Sequence, residues 1–266
     1  MGKSIGVFSL KGGVGKTSSV VALGDAIASL GKKVLLVDAN FSAPNLGMHL
    51  NIINPEVTIH DVLDRVANIS DAIYDFGERF HVLPASMNYP KEINPYKLKD
   101  KLSYWKNKYD YVLIDTSPSM NDETYAAMLA SDELLVVTTP DVPTLGTTIK
   151  AVNMARKRGT PIIGLILNKV RNKNFELSLK DIETTSDVPV MAVIPEDINI
   201  LKALSKSVPL TYFKPKSEAS VEYKKLAGTL IGEAHKPKRI KDIFKKMRPD
   251  KQTLNREIYY SRLFRD

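Results

Sequence analysis

Short apolar runs rich in β-branched residues alternate along the chain with longer stretches of helical period. Seven of these runs are candidate strands: Ile5–Ser9, Val34–Asp38, Phe80–Pro84, Tyr111–Asp115, Leu134–Thr138, Pro161–Asn168 and Val190–Ile194. Most of them are apolar throughout, as in central strands that are covered on both faces. The pattern therefore predicts a doubly wound, mostly parallel α/β sheet flanked by helices in a single domain.

The stretches between the strands have helical character. Eight helices are predicted: Thr17–Leu30, Thr58–Val66, Tyr96–Lys106, Glu123–Ala130, Thr144–Arg158, Phe175–Thr185, Ile198–Ser205 and Ser217–Ile231. The alternation ends near Gly232, and Pro237 marks a change in composition. We therefore expect one domain over residues 1–235, followed by a tail over residues 236–266.

The net charge of +8 is concentrated in that tail. It contains eleven of the 38 basic and four of the 30 acidic residues, so the rest of the chain is nearly neutral. A basic segment favours an anionic partner, either nucleic acid or a membrane surface. The chain has no cysteine, which excludes disulfides, thiol catalysis and cysteine-ligated metal sites. No apolar run approaches the roughly 20 residues of a membrane span, so we expect a cytoplasmic protein.

A glycine-rich loop carries the clearest chemistry. The segment Lys11–Ser18, KGGVGKTS, lies between an apolar strand and a helix. Its glycines allow successive backbone N–H groups to point at phosphate oxygens, and the positive end of the helix adds to the attraction. Lys16 is suited to the β- and γ-phosphates, and the Thr17 hydroxyl to Mg²⁺. Asp38 and Asp115 end two further strands, and ligands bind at the carboxyl ends of parallel strands. We therefore expect one phosphate and metal site there.

The loop resembles the deviant Walker A motif of the ParA/MinD superfamily of P-loop ATPases. The resemblance extends over about residues 3–232. The other matching segments are Val37–Phe41 with Pro44–Gly47, similar to Walker A′ and switch I; Leu83–Ser86; Val112–Asp115, similar to Walker B; Ser117 with Pro118 in switch II; Leu167–Lys169; and Val193–Asp197 with Leu201–Ala203. Leu83–Ser86 and Val193–Asp197 favour the MinD branch. The resemblance implies a P-loop NTPase fold with ATP and Mg²⁺ as cofactors.

The resemblance also assigns roles to single residues. The residues that bind the nucleotide are expected to be Lys11, Gly12, Gly13, Val14, Gly15, Lys16, Thr17, Ser18, Asn168, Lys169, Pro195, Glu196 and Asp197. Lys11 is expected to reach the nucleotide of a partner subunit, which makes a homodimer the ATP-bound state. Thr17 and Asp115 are expected to hold Mg²⁺. Asn168 is expected to pair with adenine, although an Asn after a strand is commonly a turn residue, so this role comes mainly from the resemblance.

The catalytic residues implied in the same way are Lys11, Lys16, Asp38 and Asn40. Proteins of the MinD branch usually have Asp, which orients the attacking water, where this chain has Asn40. Asn can hydrogen-bond to water but cannot accept its proton as a carboxylate can. We therefore expect a slow ATPase that a partner stimulates, with Asp38 helping through a metal-bound water. A hydrolysis-deficient, ATP-dependent scaffold is an alternative. Ser119 is a second departure, because the family has glycine there.

The tail resembles the membrane-targeting helix of the MinD branch. Its apolar stripe and the cations beside it are Ile240, Ile243, Phe244, Met247, Lys241, Lys245 and Lys246. Short basic amphipathic segments fold at a lipid interface, and two tails on one dimer gain by effective concentration. We therefore expect an anionic membrane surface as partner, with the protein reversibly peripheral to the inner face of the cell membrane. Non-specific DNA and docking on a protein are alternatives.

Together these features predict a MinD-like ATPase that dimerises with ATP, binds a surface and is released by slow hydrolysis. Such a protein would position the division site or another cellular structure, with a protein activator or cargo as a further partner. The main alternative is a ParA-like partition ATPase that binds non-specific DNA.

Overall fold

Eight strands form one sheet in the computed structural model, which describes residues 2–232. The strands are β1 (Lys3–Phe8), β2 (Val34–Ala39), β3 (Tyr74–Phe76), β4 (Phe80–Leu83), β5 (Tyr111–Thr116), β6 (Glu133–Thr138), β7 (Ile162–Val170) and β8 (Val190–Pro195). Their order is β3-β4-β2-β5-β1-β6-β7-β8, and every pairing is parallel except that of β3 with β4. The predicted fold class is confirmed, and each of the seven predicted strands is present.

Ten α-helices lie between and after these strands within the described residues. They are α1 (Lys16–Ala28), α2 (Leu46–His49), α3 (Ile59–Asp64), α4 (Leu98–Trp105), α5 (Asp122–Leu129), α6 (Val142–Arg158), α7 (Leu179–Ser186), α8 (Ile198–Leu204), α9 (Leu210–Phe213) and α10 (Glu218–Leu230). Residues of α1, α2, α8, α9 and α10 pack on one face of the sheet, and residues of α3 to α7 pack on the other. The sheet is therefore covered on both sides.

The continuous apolar strands follow from this covering, because successive side chains of a strand point to opposite faces. In β2, Leu36 packs into the core on the α1 side and Leu35 into the core on the α3 side. In β6, Leu135 packs into the core on the α1 side and Leu134 into the core on the opposite face. Each strand thus supplies apolar side chains to two cores, which is why its sequence does not alternate with polar residues.

Some elements differ from the sequence prediction. The strand β3 was not predicted, because three residues at a sheet edge carry too little periodicity to detect. The helices α2 and α9 are four residues long and were not predicted either. The predicted start of α7 at Phe175 is wrong. The Ser178 hydroxyl accepts the N–H of Asp181 at 3.2 Å and caps the helix, which then begins at Leu179.

The strand order brings the predicted site together. Strands β2, β5 and β1 are neighbours, and Asp38 is the register partner of Asp115. The loops that leave the carboxyl ends of these strands therefore meet at one edge of the sheet. The last described helix ends at the other edge, where the hydroxyl of Tyr111, the first residue of β5, donates to the Leu230 carbonyl at 2.9 Å.

Within residues 2–232, no helix has the length and apolar character that crossing a membrane requires. The predicted boundary between residues 235 and 236 lies outside the described residues. The surface-contact residues Ile240, Ile243, Phe244, Met247, Lys241, Lys245 and Lys246 lie outside them as well. The assignments made for the tail therefore stay predictions.

Candidate functional site

A cavity of about 350 Å³ opens beside the loop that joins β1 to α1. It is lined by Lys11, Gly12, Gly13, Val14, Gly15, Lys16, Thr17, Ser18, Val21, Ala22, Asn40, Asn45, His49, Pro118, Asn168, Lys169, Ile200, Leu201, Ala203, Leu204, Val208, Leu210 and Tyr223. The loop supplies cations and backbone N–H groups, whereas α8 and the segment after it supply apolar side chains. The cavity thus suits a ligand with an anionic part and an apolar part.

Two residues of β7 hold two carbonyl groups of this loop. Lys169 Nζ donates to the Gly13 carbonyl, and Asn168 Nδ2 donates to the Val14 carbonyl, both at 2.7 Å. In a planar trans peptide, the carbonyl of one residue and the N–H of the next point in opposite directions. Fixing these carbonyls therefore also fixes the N–H groups of Val14 and Gly15.

The next carbonyl in the loop is held from α1. The Gly15 carbonyl accepts the N–H of Ser19 at 2.9 Å and its hydroxyl at 2.8 Å, which fixes the N–H of Lys16. Gly15 has a left-handed φ of 91°, and a Cβ there would lie 2.3 Å from Asn168 Nδ2. Both the backbone conformation and the available space therefore require glycine at this position. The resulting row of oriented N–H groups at the start of α1 is an anion-binding site.

Lys16 and Asp115 form a buried pair next to the loop, and the half-buried Thr17 contacts it. Lys16 Nζ lies 3.1 Å from Asp115 Oδ1 and also donates to the Thr116 carbonyl. The Thr17 hydroxyl donates to Asp115 Oδ2 at 2.6 Å. The described residues contain no group of three or more His, Cys, Asp or Glu side chains that could hold a metal. A magnesium ion that used the Asp115 carboxylate and the Thr17 hydroxyl would complete its octahedron with phosphate oxygens and water, as this ion commonly does.

Asp38 lies beside this pair, but its carboxylate is engaged by the backbone. Oδ1 accepts the N–H of Asn40 at 3.1 Å, and Oδ2 accepts those of Asn45 at 3.1 Å and Leu46 at 3.0 Å. Burial, followed by repulsion from Asp115, raises the pKa of Asp38 to about 7, against the opposing effect of the backbone donors. In this structure Asp38 therefore organises the segment that follows β2.

The two residues that depart from the MinD pattern are also held by their own surroundings. Asn40 is buried and lines the cavity, and its side-chain amide donates to the Ala43 carbonyl. The Ser119 carbonyl accepts the Thr124 hydroxyl at 2.7 Å, which ties the segment after β5 to α5. Asn40 is thus brought to the site that the sequence predicted, with its amide group turned into its own loop.

Lys11 contacts the start of α6 in its own chain. Its Nζ lies 3.3 Å from Asp141 Oδ1 and donates to the Thr144 hydroxyl. Asp141 also accepts the N–H of Thr144 at 2.9 Å and thereby caps α6. Burial opposes ionisation of Asp141, but hydrogen bonds from Thr139 and Thr144 outweigh it and lower the pKa to about 2. Lys11 therefore has a negatively charged partner within the subunit.

The amide of Asn168 has one engaged end and one free end. Its Nδ2 holds the Val14 carbonyl, whereas Oδ1 is buried without a hydrogen-bond partner among the described residues. A buried acceptor of this kind is costly unless a ligand supplies a donor. The predicted base-reading residue thus lines the cavity and has a buried acceptor atom without a partner.

The segment Pro195–Asp197 lies beside the cavity rather than in its wall. Glu196 forms a bidentate ion pair with Arg171, with N–O distances of 2.6 and 2.7 Å. Asp197 caps α8 by accepting the N–H of Asn199 at 2.9 Å. The apolar wall comes from the following turns, from Ile200, Leu201 and Leu204. Of the three predicted residues, Asp197 therefore fixes the start of α8, whose side chains line the cavity.

Several lining residues had no sequence signal that pointed to a site. His49 Nε2 lies 3.4 Å from the Ser18 hydroxyl, and His49 Nδ1 lies 3.0 Å from the Asn45 carbonyl. Tyr223 of α10 reaches the cavity from the far end of the described chain. A single His or Tyr in an amphipathic stretch reads as an ordinary packing residue, so only the fold identifies these positions.

Two family models match the chain. A model described as an AAA domain matches residues 2–163, and one described as NUBPL iron-transfer P-loop NTPase, a ParA model, matches residues 97–231. Together they cover almost all of the described residues. The first of these matches includes the phosphate-binding loop described above.

Individual proteins are similar over most of the chain. An uncharacterized ATP-binding protein of Methanocaldococcus jannaschii is 36% identical, over 87% of this chain and 89% of that protein. The septum site-determining protein MinD of Synechocystis is 31% identical, over 88% of this chain and 91% of that protein. The structure of the septum site-determining protein MinD from Pyrococcus horikoshii, complexed with Mg-ADP, superposes with a TM-score of 0.82 at 33% identity, over 86% of this chain and 96% of that one.

Proposed function

The chain belongs to the ParA/MinD family of P-loop ATPases, and we propose that it is a MinD-like nucleotide switch. In this proposal it binds ATP with Mg²⁺, dimerises in the ATP state and attaches to an anionic membrane surface. Slow hydrolysis, stimulated by a protein partner, then releases it. The cellular role is to place the division site or another structure.

One observation carries this proposal: a phosphate loop, a candidate Mg²⁺ pair and a buried amide acceptor line a single cavity or lie directly beside it. The Lys16 ammonium and the loop N–H groups bind phosphates, whereas Asn168 Oδ1 accepts a hydrogen bond from the base. Thr17 and Asp115 hold Mg²⁺, which neutralises charge on the phosphates. The apolar residues of α8 pack against the base.

The same acceptor gives a reason for preferring ATP to GTP. Adenine carries an exocyclic amino group that donates, whereas guanine carries a carbonyl oxygen at the equivalent position and cannot satisfy Asn168 Oδ1. A site with an unpaired buried polar group discriminates strongly between such ligands. We expect ATP to bind at least tenfold more tightly than GTP. Asn168→Ala should lower ATP affinity and remove most of this preference in calorimetric titrations, whereas a wild-type chain that binds both equally contradicts the assignment.

Hydrolysis tests the catalytic part of the proposal. Asn40 cannot take a proton from the attacking water, so positioning and electrostatics must supply the rate enhancement. We expect slow single-turnover hydrolysis of ATP by the wild type, and faster turnover for Asn40→Asp. An unchanged or lower rate for Asn40→Asp contradicts the positioning argument. A wild type that binds ATP without hydrolysing it in a single turnover indicates an ATP-dependent scaffold instead.

Dimerisation tests the role of Lys11. Two nucleotides brought together carry about eight negative charges, so cations from both subunits are needed between them. We propose that Lys11 leaves Asp141 in the ATP state and binds the phosphates of the partner subunit. Lys11→Ala should then stay monomeric with ATP in light-scattering measurements. Lys3→Ala is a matched control, because Lys3 is equally exposed and pairs with Glu133 at 2.7 Å at the opposite edge of the sheet.

Surface attachment is the part of the proposal that depends on the tail. Two tails on a dimer bind more tightly than one, so attachment should require ATP. We expect co-sedimentation with vesicles of anionic phospholipid in ATP but not in ADP, and loss of binding on deleting residues 238–266. Phe244→Glu should also abolish it. ATP-dependent binding to DNA that survives Phe244→Glu favours the ParA-like alternative.

A further inference from the structure

Ser19 of α1 holds the Gly15 carbonyl of the phosphate loop, and a tyrosine from α10 supports this contact. The Tyr223 hydroxyl lies 2.8 Å from the Ser19 hydroxyl, which in turn lies 2.8 Å from the Gly15 carbonyl. Tyr223 and Ser19 are 204 positions apart in the sequence and both are fully buried. A hydrogen-bonded chain thus connects the last described helix with the loop.

The direction of these hydrogen bonds is fixed by the chemistry of the groups. A carbonyl can only accept, so the single proton of the Ser19 hydroxyl goes to Gly15. The remaining bond requires Tyr223 to donate to Ser19 Oγ. Burial raises the pKa of Tyr223 to about 12, so its hydroxyl is protonated at neutral pH. The order is therefore Tyr223 to Ser19 to Gly15.

This order has a consequence for the loop. With its oxygen satisfied by Tyr223, the Ser19 hydroxyl is held in the rotamer that binds the Gly15 carbonyl. That carbonyl shares a peptide plane with the N–H of Lys16, which is thereby held in the opposite direction. Without the tyrosine hydroxyl, Ser19 Oγ is a buried acceptor with no donor, and the rotamer that orients the loop is less favoured.

We propose that Tyr223 is a positioning residue of the nucleotide site, acting through Ser19 on the Gly15–Lys16 peptide. The proposal rests on the proposed function, because it requires the loop to bind phosphates. It assigns to α10 a share of the nucleotide affinity, although the phenol ring itself lies in the apolar part of the cavity wall. The part of the chain that follows the domain is attached to this helix.

The test is the affinity for Mg-ADP, which avoids the effects of ATP-driven dimerisation. Tyr223→Phe keeps the ring and removes only the hydroxyl. We expect binding about fivefold weaker by isothermal titration calorimetry, the equivalent of about 1 kcal/mol. Ser19→Ala should weaken binding by a similar factor. The two substitutions together should weaken it no further than Ser19→Ala alone, because they break one chain of bonds.

Tyr111→Phe is the matched control. It removes a tyrosine hydroxyl that donates to the Leu230 carbonyl of α10, without reaching the loop. We expect the Mg-ADP affinity of Tyr111→Phe to equal that of the wild type, although Tyr111→Phe and Tyr223→Phe each remove one hydrogen bond of α10. A general loosening of α10 would instead weaken binding in both.

The outcomes separate the two proposals. Unchanged affinity in Tyr223→Phe, or equal losses in Tyr223→Phe and Tyr111→Phe, overturns the positioning role. Additive losses in the double variant overturn the path through Ser19. A wild-type chain that does not bind Mg-ADP overturns the proposed function and this inference together. If Tyr223→Phe does not fold, Ser19→Ala is the deciding variant. An unchanged Mg-ADP affinity in Ser19→Ala overturns the role of the hydrogen bond from Ser19 to the Gly15 carbonyl.

Discussion

Replacing Lys16 with alanine should destabilise the fold even in the absence of nucleotide. Lys16 and Asp115 are both buried, with 8% and 1% of their side chains exposed, and lie 3.1 Å apart. Asp38, with 1% of its surface exposed, is the register partner of Asp115. The lysine is therefore the cation that compensates two adjacent carboxyl groups, besides being the expected phosphate ligand.

The magnitude follows from what the substitution leaves behind. Lys16→Ala leaves Asp115 with the Thr17 hydroxyl as a donor and with Asp38 as a repulsive neighbour. Removing one partner of a buried ion pair costs about 3–5 kcal/mol, because the other charge stays buried without compensation. With a urea dependence of about 3 kcal/mol per molar for a chain of this size, the unfolding midpoint should fall by about 1–1.7 M.

The assay is equilibrium unfolding in urea at pH 7.5, with EDTA and without nucleotide. Lys11→Ala is the control within the same loop. Its ion pair with Asp141 is about 40% exposed on both sides, and such pairs contribute about 0–1 kcal/mol. We therefore expect the midpoint of Lys11→Ala to stay near that of the wild type.

Equally small decreases of the unfolding midpoint in both variants would refute the reasoning, since they would mean that Asp115 and Asp38 need no cation. If the prediction holds, Lys16→Ala is a poor choice for a variant that merely fails to bind nucleotide. Its behaviour in cells would combine lost binding with a lower population of folded protein. A variant of the loop that keeps the ammonium group is then the better control for localisation experiments.

Two further predictions concern stability and the loop. Burial lowers the pKa of His60 below 6.5, and the N–H of Ser86 donates to its Nδ1 at 3.0 Å. Below pH 6.5 the unfolded chain therefore binds more protons than the folded chain does. The contribution of His60 to the free energy of unfolding should be constant above that pH and decrease below it. Urea midpoints at pH 7.5 and 5.5 should differ more for the wild type than for His60→Gln, and an equal difference contradicts the assignment. Gly15→Ala should lose Mg-ADP binding, because its Cβ would lie 2.3 Å from Asn168 Nδ2 at a φ of 91°. Gly146→Ala in α6 lies outside the cavity wall, meets nothing within 4 Å and should bind normally, so similar losses in both variants would show that the steric argument is wrong.

The sequence predicted what local patterns encode. Continuous apolar runs identified seven strands, and the spacing of Lys16 and Thr17 identified the phosphate loop, because both signals lie within a few residues. Because Asp115 ends a parallel strand, the sequence also predicted that it lies at the same edge of the sheet as the phosphate loop. In each case the information is carried by neighbours in the chain.

What could not be predicted depends on contacts between distant residues. The partners of Lys11 lie 130 and 133 positions away, and no local pattern reveals them. The amide of Asn40 turns to the Ala43 carbonyl because of the tight loop after β2, which its residue type does not specify. Tyr223 reads as one more apolar position in a helix. The start of α7 was misplaced because Phe175 continues the apolar period that the cap at Ser178 interrupts.

The hydrogen bond from Tyr111 to Leu230 has a consequence for signalling. It fixes the end of α10 at the edge of the sheet where the strands begin, whereas phosphates would bind where the strands end. A strand of six residues spans about 20 Å, and so does a helix of thirteen. Gly232, the last described residue, therefore lies on the far side of the domain from the phosphate loop. A change at the phosphate loop therefore reaches Gly232 as a displacement of the helices and strands between them, or through the separation of two subunits.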